Sequence, residues 1–261
     1  MIVQSIGFVG TGAIAEAMVR GLLLEPACLS QIVISPRNAE VAARLEREFP
    51  AVRIAGDNQA VLDGSDVAVL AIRPQIAKDV IESLRFREGQ TVISVVAATE
   101  RASLLDWIGA DVHLVQAIPL PFVAERQGVT AIFPPDRLVA ELFDTLGRAV
   151  QCDNRREYDL LGAGSALMST YFGILESAAT WLADNGMQRE KANAYLAPLF
   201  ASLSARASAS DTEDFAALSE EFATKGGLND QVLADFDRDG GRAALHRALD
   251  RVFARIEGRS S

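Results

Sequence analysis

The chain has 261 residues, of which 49% are hydrophobic and 23% charged, so it can bury a substantial core and is not polar enough for wholesale disorder. Its formal net charge of −10 makes nucleic acid an unfavourable partner. Only two cysteines, Cys28 and Cys152, and two histidines, His113 and His246, are present, which excludes a disulfide framework and a histidine-rich metal centre, and we expect no metal.

Short apolar segments alternate with amphipathic helical patterns through about the first 150 residues. The segments are rich in Val and Ile and bounded by Gly, Pro or Asp, which is typical of parallel strands covered on both faces. We predict strands at 5–10, 31–36, 52–56, 67–72, 91–98, 113–119 and 128–134. We predict helices at 13–25, 38–49, 75–84, 100–108 and 136–148. This order predicts an α/β fold with a Rossmann-like, doubly wound sheet.

Beyond about residue 153 the sequence shows only helical patterns. We therefore predict a dinucleotide-binding Rossmann domain at 1–153 and an all-helical dimerisation and substrate domain at 154–261. The segment 157–186 is apolar enough for a mostly buried helix, and its apolar excess predicts a homodimer.

Three further features mark helices in this half. Pro198 either kinks a helix or ends one, and Ser210 or Asp211 is placed to cap another. The last helix is predicted at 241–256.

Small residues mark the junction between the first strand and the first helix, with the spacing Gly10-x-Gly12-x-x-Ala15. Gly10 permits the tight turn, Gly12 lets a diphosphate approach the backbone, and Ala15 allows close packing of the helix on the sheet. The free N–H groups and the dipole of the helix then attract the phosphates. The junction predicts dinucleotide binding.

The end of the second strand reads Ile-Ser-Pro-Arg-Asn and lacks the acidic residue that would accept from the 2′-hydroxyl of NAD. Ser35, Arg37 and Asn38 instead offer hydrogen-bond donors, which favours NADP(H) over NAD(H). A solvated surface arginine is the alternative. Arg73 and Pro74 end the fourth predicted strand, where they form either a wall of the cofactor site or an ordinary strand end.

Several segments, in order, resemble the pyrroline-5-carboxylate reductase family: IGFVGTGAIAEAMVRGLL, ISPRN, LAIRPQ, VISVVAA, GVTAIFP and GGRAALHRAL. The resemblance implies a Rossmann domain joined to a helical dimerisation domain, and reduction of a cyclic imine with NAD(P)H where helices of two subunits meet the nicotinamide. By position it implies a set of cofactor-binding residues: Gly10, Gly12, Ala13, Ile14, Ser35, Arg37, Asn58, Ala71, Arg73, Pro74 and Ala97.

Three segments depart from the family pattern. One is GAGSALMSTYF, which lacks the Gly-Pro of the family's Ser-Gly-Ser-Gly-Pro-Ala-Tyr. Where the family typically has Met-Pro-Asn-Thr-Pro, this chain has the apolar segment 118–122. Where the family has Ser-Pro-Gly-Gly-Thr-Thr for the substrate carboxylate, residues 223–229 read Ala-Thr-Lys-Gly-Gly-Leu-Asn, so an altered substrate is left open. The candidate catalytic residues in this segment are Thr224, Lys225 and Asn229. The backbone of Gly226 and Gly227 is predicted to bind the substrate, since its N–H groups can cradle an anion.

Two other functions remain open at this point. A β-hydroxyacid dehydrogenase would carry a lysine and an asparagine on the long interdomain helix, whereas 157–186 has no lysine and holds Asn185 only at its end. A catalytically silent, dinucleotide-binding regulatory protein would keep the glycine junction without turnover. No uninterrupted apolar stretch reaches the ~18 residues of a membrane span. We expect a cytoplasmic protein with no membrane or nucleic-acid partner.

Overall fold

A computed structural model describes residues 4–24, 30–209 and 214–259. The chain divides into two compact units, Met1–Gly162 and Ala163–Ser261. The domain boundary expected after residue 153 stays a prediction.

The first unit is built on an eight-stranded sheet with the order β3-β2-β1-β4-β5-β6-β7-β8. Neighbouring strands are parallel except for β6 and β7, which are antiparallel. The strands are β1 (Ser5–Val9), β2 (Gln31–Ile34), β3 (Val52–Ile54), β4 (Val67–Leu70), β5 (Thr91–Ser94), β6 (His113–Ile118), β7 (Gly128–Phe133) and β8 (Gly147–Gln151). The predicted doubly wound α/β class is confirmed, and the seven predicted strands are present. The strand β8 was not predicted.

Helices connect the strands and cover both faces of the sheet. They are α1 (Ala13–Leu23), α2 (Ala39–Glu48), α3 (Asn58–Asp63), α4 (Pro74–Glu82), α5 (Arg101–Ile108) and α6 (Arg137–Asp144), with a 3₁₀ helix at Pro121–Glu125. The short helix α3 was not predicted. The helix expected at 136–148 ends at Asp144, and the residues after it begin β8 instead.

Neighbouring residues of β1 belong to two separate hydrophobic cores. Phe8 packs with Met18 of α1 on one face of the sheet, whereas Val9 packs with Ile81 of α4 on the other. This division follows from the alternation of side chains along a strand. All four side chains are fully buried, and burial of each contributes about 1.5–3 kcal/mol. The two cores therefore fix the positions of the strand ends, and a ligand site is expected at these ends.

The second unit is helical. A helix α7 (Arg155–Gly164) contains the boundary between the units, and it is followed by α8 (Leu167–Asp184), α9 (Arg189–Ser208), α10 (Phe215–Phe222), α11 (Leu228–Arg238) and α12 (Gly241–Ile256). The single helix expected at 157–186 is therefore wrong, because residues 165–166 separate α7 from α8. Pro198 lies within α9 and does not end it.

Apolar side chains of the second unit are largely exposed in the single chain. Phe172 is 61% exposed and Trp181 is 65% exposed, although α8 was expected to be mostly buried. Asp214 caps α10 by accepting from the N–H of Ala216 at 2.8 Å. The predicted caps Ser210 and Asp211 lie outside the described residues, as does Cys28. None of the helices described has the length and apolar character needed to cross a membrane.

Candidate functional site

The turn between β1 and α1 requires glycine at one position and leaves open space at another. Gly10 has a φ of +99°, and a Cβ there would lie 2.3 Å from the carbonyl oxygen of Ala71. A Cβ on Gly12 would meet no atom within 4 Å. Gly12 is also the N-cap of α1, and it has no side chain to cap the helix. The first N–H groups of α1 are therefore available to bind an anion. The turn therefore fits a diphosphate above Gly12.

A buried serine, Ser35, is hydrogen-bonded to this turn. The hydroxyl of Ser35 accepts from the N–H of Gly10 at 3.1 Å, and Thr11 Oγ1 donates to the Ser35 carbonyl at 2.7 Å. Asn38 Nδ2 donates to the Thr11 carbonyl at 3.2 Å. Ser35 is completely buried, and its side chain supports the glycine turn. Its predicted contact with a ribose phosphate stays a prediction.

A cavity of about 240 Å³ opens at the carboxyl ends of β1 and β4. These two strands adjoin where the strand order reverses, which is the place where doubly wound sheets bind ligands. The cavity is lined by six residues of the predicted cofactor set: Gly10, Gly12, Arg37, Asn58, Ala71 and Arg73. It is also lined by six residues outside that set: Val9, Thr11, Asn38, Ile72, Ile76 and Val80.

The remaining predicted cofactor residues lie beside this cavity or at the next strand end. Ala13 and Ile14 form the first turn of α1, and Pro74 is the first residue of α4. Ala97 is exposed and follows β5. Sequence reasoning missed Ile76 and Val80 because their spacing on α4 also suits a buried helix face. Their partial exposure gives the cavity an apolar wall.

Two arginines give the cavity a positive charge in an acidic chain. Arg37 and Arg73 are both exposed, and within the described parts of the chain neither makes an ion pair. Arg73 has an extended backbone with φ −65° and ψ 138°, as expected before a proline. No acidic residue stands between the end of β2 and Asn38. The cavity therefore suits a ligand with several phosphates.

An ion-pair network fixes the helices that flank the cavity. Glu16 of α1 pairs with Arg20 at 2.9 Å and with Arg44 of α2 at 2.8 Å. Arg20 also pairs with Glu48, at the end of α2, at 2.7 Å. Burial acts to raise the pKa of Glu16, but hydrogen bonds from the two arginines outweigh it and hold that pKa below its ordinary value. The network holds α2 against α1 beside the glycine turn.

A second polar network supports the turn after β5. Gln116 of β6 is buried, and its Nε2 donates to the carbonyl of Thr99 at 2.8 Å. Its Oε1 accepts from Arg155 of α7 at 3.2 Å, and Arg155 Nε also donates to both carboxylate oxygens of Asp159, at 2.8 and 2.9 Å. Within the supported turn Ala98 adopts φ +48°, which is uncommon for alanine. The turn that carries Ala97 is thus held by side chains of β6 and α7.

The predicted catalytic segment of the second unit lies between α10 and α11. Asn229 Nδ2 donates to the Phe222 carbonyl at 2.8 Å, and Thr224 and Lys225 are exposed. The N–H of Gly227 donates to the Thr224 carbonyl at 2.7 Å. The N–H of Gly226 donates to the carboxylate of Asp230 at 2.9 Å. Both predicted amides therefore have acceptors within the chain, and substrate binding by this segment stays a prediction.

His113, Asp136 and Cys152, which lie outside these segments, have structural surroundings. His113 Nε2 lies 2.7 Å from Asp136, which also caps α6 by accepting from the N–H of Val139. Cys152 is buried, and burial raises the pKa of its thiol, so it is not an activated nucleophile. The described residues contain no group of three or more His, Cys, Asp or Glu side chains suited to a metal ion.

Two family descriptions match successive parts of the chain. Residues 5–98 match the family described as "NADP oxidoreductase coenzyme F420-dependent". Residues 158–258 match the family described as "Pyrroline-5-carboxylate reductase dimerisation". The pyrroline-5-carboxylate reductase of Pseudomonas aeruginosa is 27% identical over 255 residues, which cover 94% of this chain and 93% of that protein.

Solved structures show the same fold over the whole length. A pyrroline-5-carboxylate reductase from Coxiella burnetii superposes with a TM-score of 0.87 at 20% identity and covers 100% of both chains. A Plasmodium falciparum pyrroline carboxylate reductase with NADP bound has a TM-score of 0.80 at 15% identity and covers 99% of this chain and 98% of its own.

The sheet, the glycine turn and the cavity define a dinucleotide-binding protein of the Rossmann class. The helical half adds a match to a pyrroline-5-carboxylate reductase dimerisation domain. The chain is similar to pyrroline-5-carboxylate reductases along nearly its whole length, and the resemblance of its motifs to that family is confirmed.

Proposed function

We propose that the chain reduces the C=N bond of a cyclic imine with NADPH. The cavity at the carboxyl ends of β1 and β4 carries this proposal, since it combines an open glycine turn with two arginines that make no ion pair with any described residue. The similarity to that family supports imine reduction over the dehydrogenation of hydroxy acids. The bound nicotinamide coenzyme supplies a hydride, and the protein contributes binding, orientation and protonation.

Different residues around the cavity bind different parts of the cofactor. The N–H groups at the start of α1 hold the diphosphate above Gly12. Arg37 holds the 2′-phosphate through charged hydrogen bonds, which distinguishes NADPH from NADH. Arg73 and the apolar pair Ile76 and Val80 enclose the adenosine half.

The substrate side needs few catalytic groups, because an imine is easily protonated. We assign contact with the substrate to Thr224, Lys225 and Asn229. Lys225 is exposed, and the described residues provide it with no ion-pair partner. Asn229 retains its side-chain oxygen as an acceptor, since its nitrogen already donates to Phe222.

We also propose a homodimer formed by the second unit. Exposed apolar residues on several of its helices support this assembly, since such surface is rarely left in water. The most exposed are Leu228 at 83%, Phe215 at 73%, Val232 at 70% and Tyr195 at 69%.

A rate assay tests the proposal. Purified protein is mixed with NADPH or NADH and a panel of cyclic imines, and loss of the reduced coenzyme is followed by absorbance. We expect turnover with imines and a preference for NADPH. Activity with 2-hydroxy or 3-hydroxy acids but with no imine would establish the dehydrogenase instead. Tight NADPH binding without any turnover would establish a binding protein.

A further inference from the structure

The turn after β5 is next to the cavity along the edge of the sheet. The N–H of Val95, directly after β5, donates to the carbonyl of Leu70 at 3.0 Å, and the residue after Leu70, Ala71, lines the cavity. The turn follows at Ala97 and Ala98, and both residues are exposed. Because β4 and β5 are parallel neighbours, this turn lies at the same carboxyl edge of the sheet as the cavity.

This part of the edge faces the nicotinamide half of the cofactor under the proposed function. A dinucleotide lies across the carboxyl ends of a doubly wound sheet, with one nucleotide on each half of the sheet. The glycine turn and Arg37 take the diphosphate and the adenosine half, at the ends of β1 and β2. β5 lies on the other side of β1 from β2, beyond β4. The nicotinamide therefore faces the turn at Ala97 and Ala98.

The conformation of this turn needs support from the rest of the chain. Ala98 has a φ of +48°, in the left-handed region that is unfavourable for a residue with a Cβ. The hydroxyl of Thr99 donates to the carbonyl of Ala97 at 3.1 Å, across the turn. Thr99 is buried, and its own carbonyl accepts a hydrogen bond from Nε2 of Gln116 at 2.8 Å. The exposed side of the turn is therefore fixed from its buried end.

The side chain of Gln116 is itself oriented by an ion pair. Gln116 is buried in β6, beside Ser94, the last residue of β5. Its Oε1 accepts from Nη1 of Arg155 at 3.2 Å. Nε of Arg155 donates to both carboxylate oxygens of Asp159, at 2.8 and 2.9 Å. Because Arg155 offers only donors, it selects the oxygen of the Gln116 amide and leaves the nitrogen to donate to Thr99.

We propose that Gln116 is a positioning residue for hydride transfer. It holds the turn at Ala97 and Ala98 where the nicotinamide ring packs against it, and it acts through the backbone of Thr99. Arg155 keeps the Gln116 amide in the required orientation. The inference rests on the proposed reduction, in which the imine carbon receives a hydride from C4 of the nicotinamide and the nitrogen receives a proton, leaving NADP⁺ and an amine. A displacement of about 1 Å between reacting groups can lower a rate by about 100-fold, so a small shift of this turn matters.

Replacement of Gln116 by methionine removes both hydrogen bonds of the amide and keeps the length of the side chain. We expect the rate constant for hydride transfer to fall by about tenfold or more, because the nicotinamide ring then packs against a displaced turn. The Kd for NADPH should change by less than about threefold, since its phosphates are bound at the other half of the sheet. A loss of rate without an equal loss of affinity distinguishes a positioning residue from a binding residue.

Single-turnover experiments separate positioning from a loss of folded protein. Protein is mixed with an equal amount of NADPH, excess imine is added, and the rate constant and the amplitude of NADPH loss are recorded. A misplaced ring lowers the rate constant, whereas an unfolded fraction of the protein lowers only the amplitude. A slower reaction with NADPH deuterated at C4 of the nicotinamide identifies the recorded phase as hydride transfer.

Gln90→Met is the matched control. Gln90 is also a buried glutamine, and its amide likewise bridges two parts of the chain. Its Nε2 donates to the Leu62 carbonyl at 3.2 Å, and its Oε1 accepts from the N–H of Arg87 at 3.2 Å. Gln90 directly precedes β5, at the opposite end of the strand from the turn. We expect Gln90→Met to lose stability and to keep the rate constant for hydride transfer within about twofold of the unaltered protein.

Thr99→Val provides a second variant at the same turn, because it keeps the size of the side chain and removes its hydrogen bond to Ala97. It should also slow hydride transfer, and it decides the question if Gln116→Met fails to fold. An unchanged rate constant in the deciding variant, or an equal fall in Gln90→Met, would overturn the inference while leaving imine reduction standing. Failure of the unaltered protein to reduce any imine would overturn the proposed function and this inference with it.

Discussion

Replacement of Gly12 by alanine separates a binding role of this glycine from a structural one. A Cβ at this position meets no atom within 4 Å, and the φ of −90° is one that alanine adopts freely. We expect the free energy of unfolding to change by less than about 1 kcal/mol, since alanine loses less chain entropy than glycine but caps a helix less well. The methyl group nevertheless fills space assigned to the diphosphate. The Kd for NADPH should rise by about tenfold or more, or about 1.4 kcal/mol.

Gly10→Ala is the matched comparison at the same turn. Its Cβ would lie 2.3 Å from the Ala71 carbonyl oxygen, at a φ of +99°. The left-handed backbone alone costs alanine about 1–2 kcal/mol, and the overlap adds to it. Gly10→Ala should therefore lose both stability and NADPH affinity.

Urea unfolding gives the stability of each variant, and quenching of protein fluorescence by NADPH gives the Kd. A Gly12→Ala protein that binds NADPH as tightly as the unaltered protein would refute the placement of the diphosphate above this residue. A large loss of stability in Gly12→Ala would contradict the structure's finding that a side chain at this position meets no other atoms.

Three other variants test separate parts of the account. Arg37→Asp should weaken NADPH binding by about 100-fold or more and change NADH binding far less, because only NADPH carries the 2′-phosphate. Equal losses of affinity in titrations with both coenzymes would show that Arg37 does not contact this phosphate. Asn229→Ala should lower kcat and leave the Kd of NADPH unchanged, so an unaltered rate would exclude it from the substrate site. Glu16→Gln should lower stability at neutral pH, because the pKa of Glu16 is depressed in the folded chain and its ion pairs persist above the unfolded value. That stability is lost as the pH falls through the lowered pKa, so urea melts of the two proteins should converge in acid; a constant difference would contradict the ion-pair role.

The parallel strands could be predicted because burial on both faces leaves a nearly continuous run of Val and Ile. Strand β8 escaped prediction because Gly147–Gln151 lies at the sheet edge and none of its residues is fully buried. Helix α3 has only six residues, fewer than two turns, so its apolar positions cannot repeat the helical period. Its start does carry a signal, since Asp57 caps it by accepting from the N–H of Ala60 at 2.8 Å.

The glycine turn was predictable where backbone shape alone decides it. Gly10 follows from a steric requirement of the turn, whereas the role of Gly12 beneath a diphosphate stays a prediction. Ser35 shows the limit, because a hydroxyl near a ligand site can face either the ligand or the backbone. Only the fold reveals that it lies beneath the glycine turn. Similarly, the apolar spacing of Ile76 and Val80 does not reveal that these side chains line a cavity.

The second unit was harder to predict, since α8 is apolar along most of its length. The break at 165–166 has no proline to mark it. The exposure of apolar side chains on α8 also depends on how the helices pack together, which the sequence of α8 alone does not reveal.

Calorimetric titration of the purified protein with NADPH tests the central claim, that the cavity at β1 and β4 binds a nicotinamide dinucleotide. The account predicts saturable binding with a lower Kd for NADPH than for NADH. Absence of saturable binding for both coenzymes would contradict it.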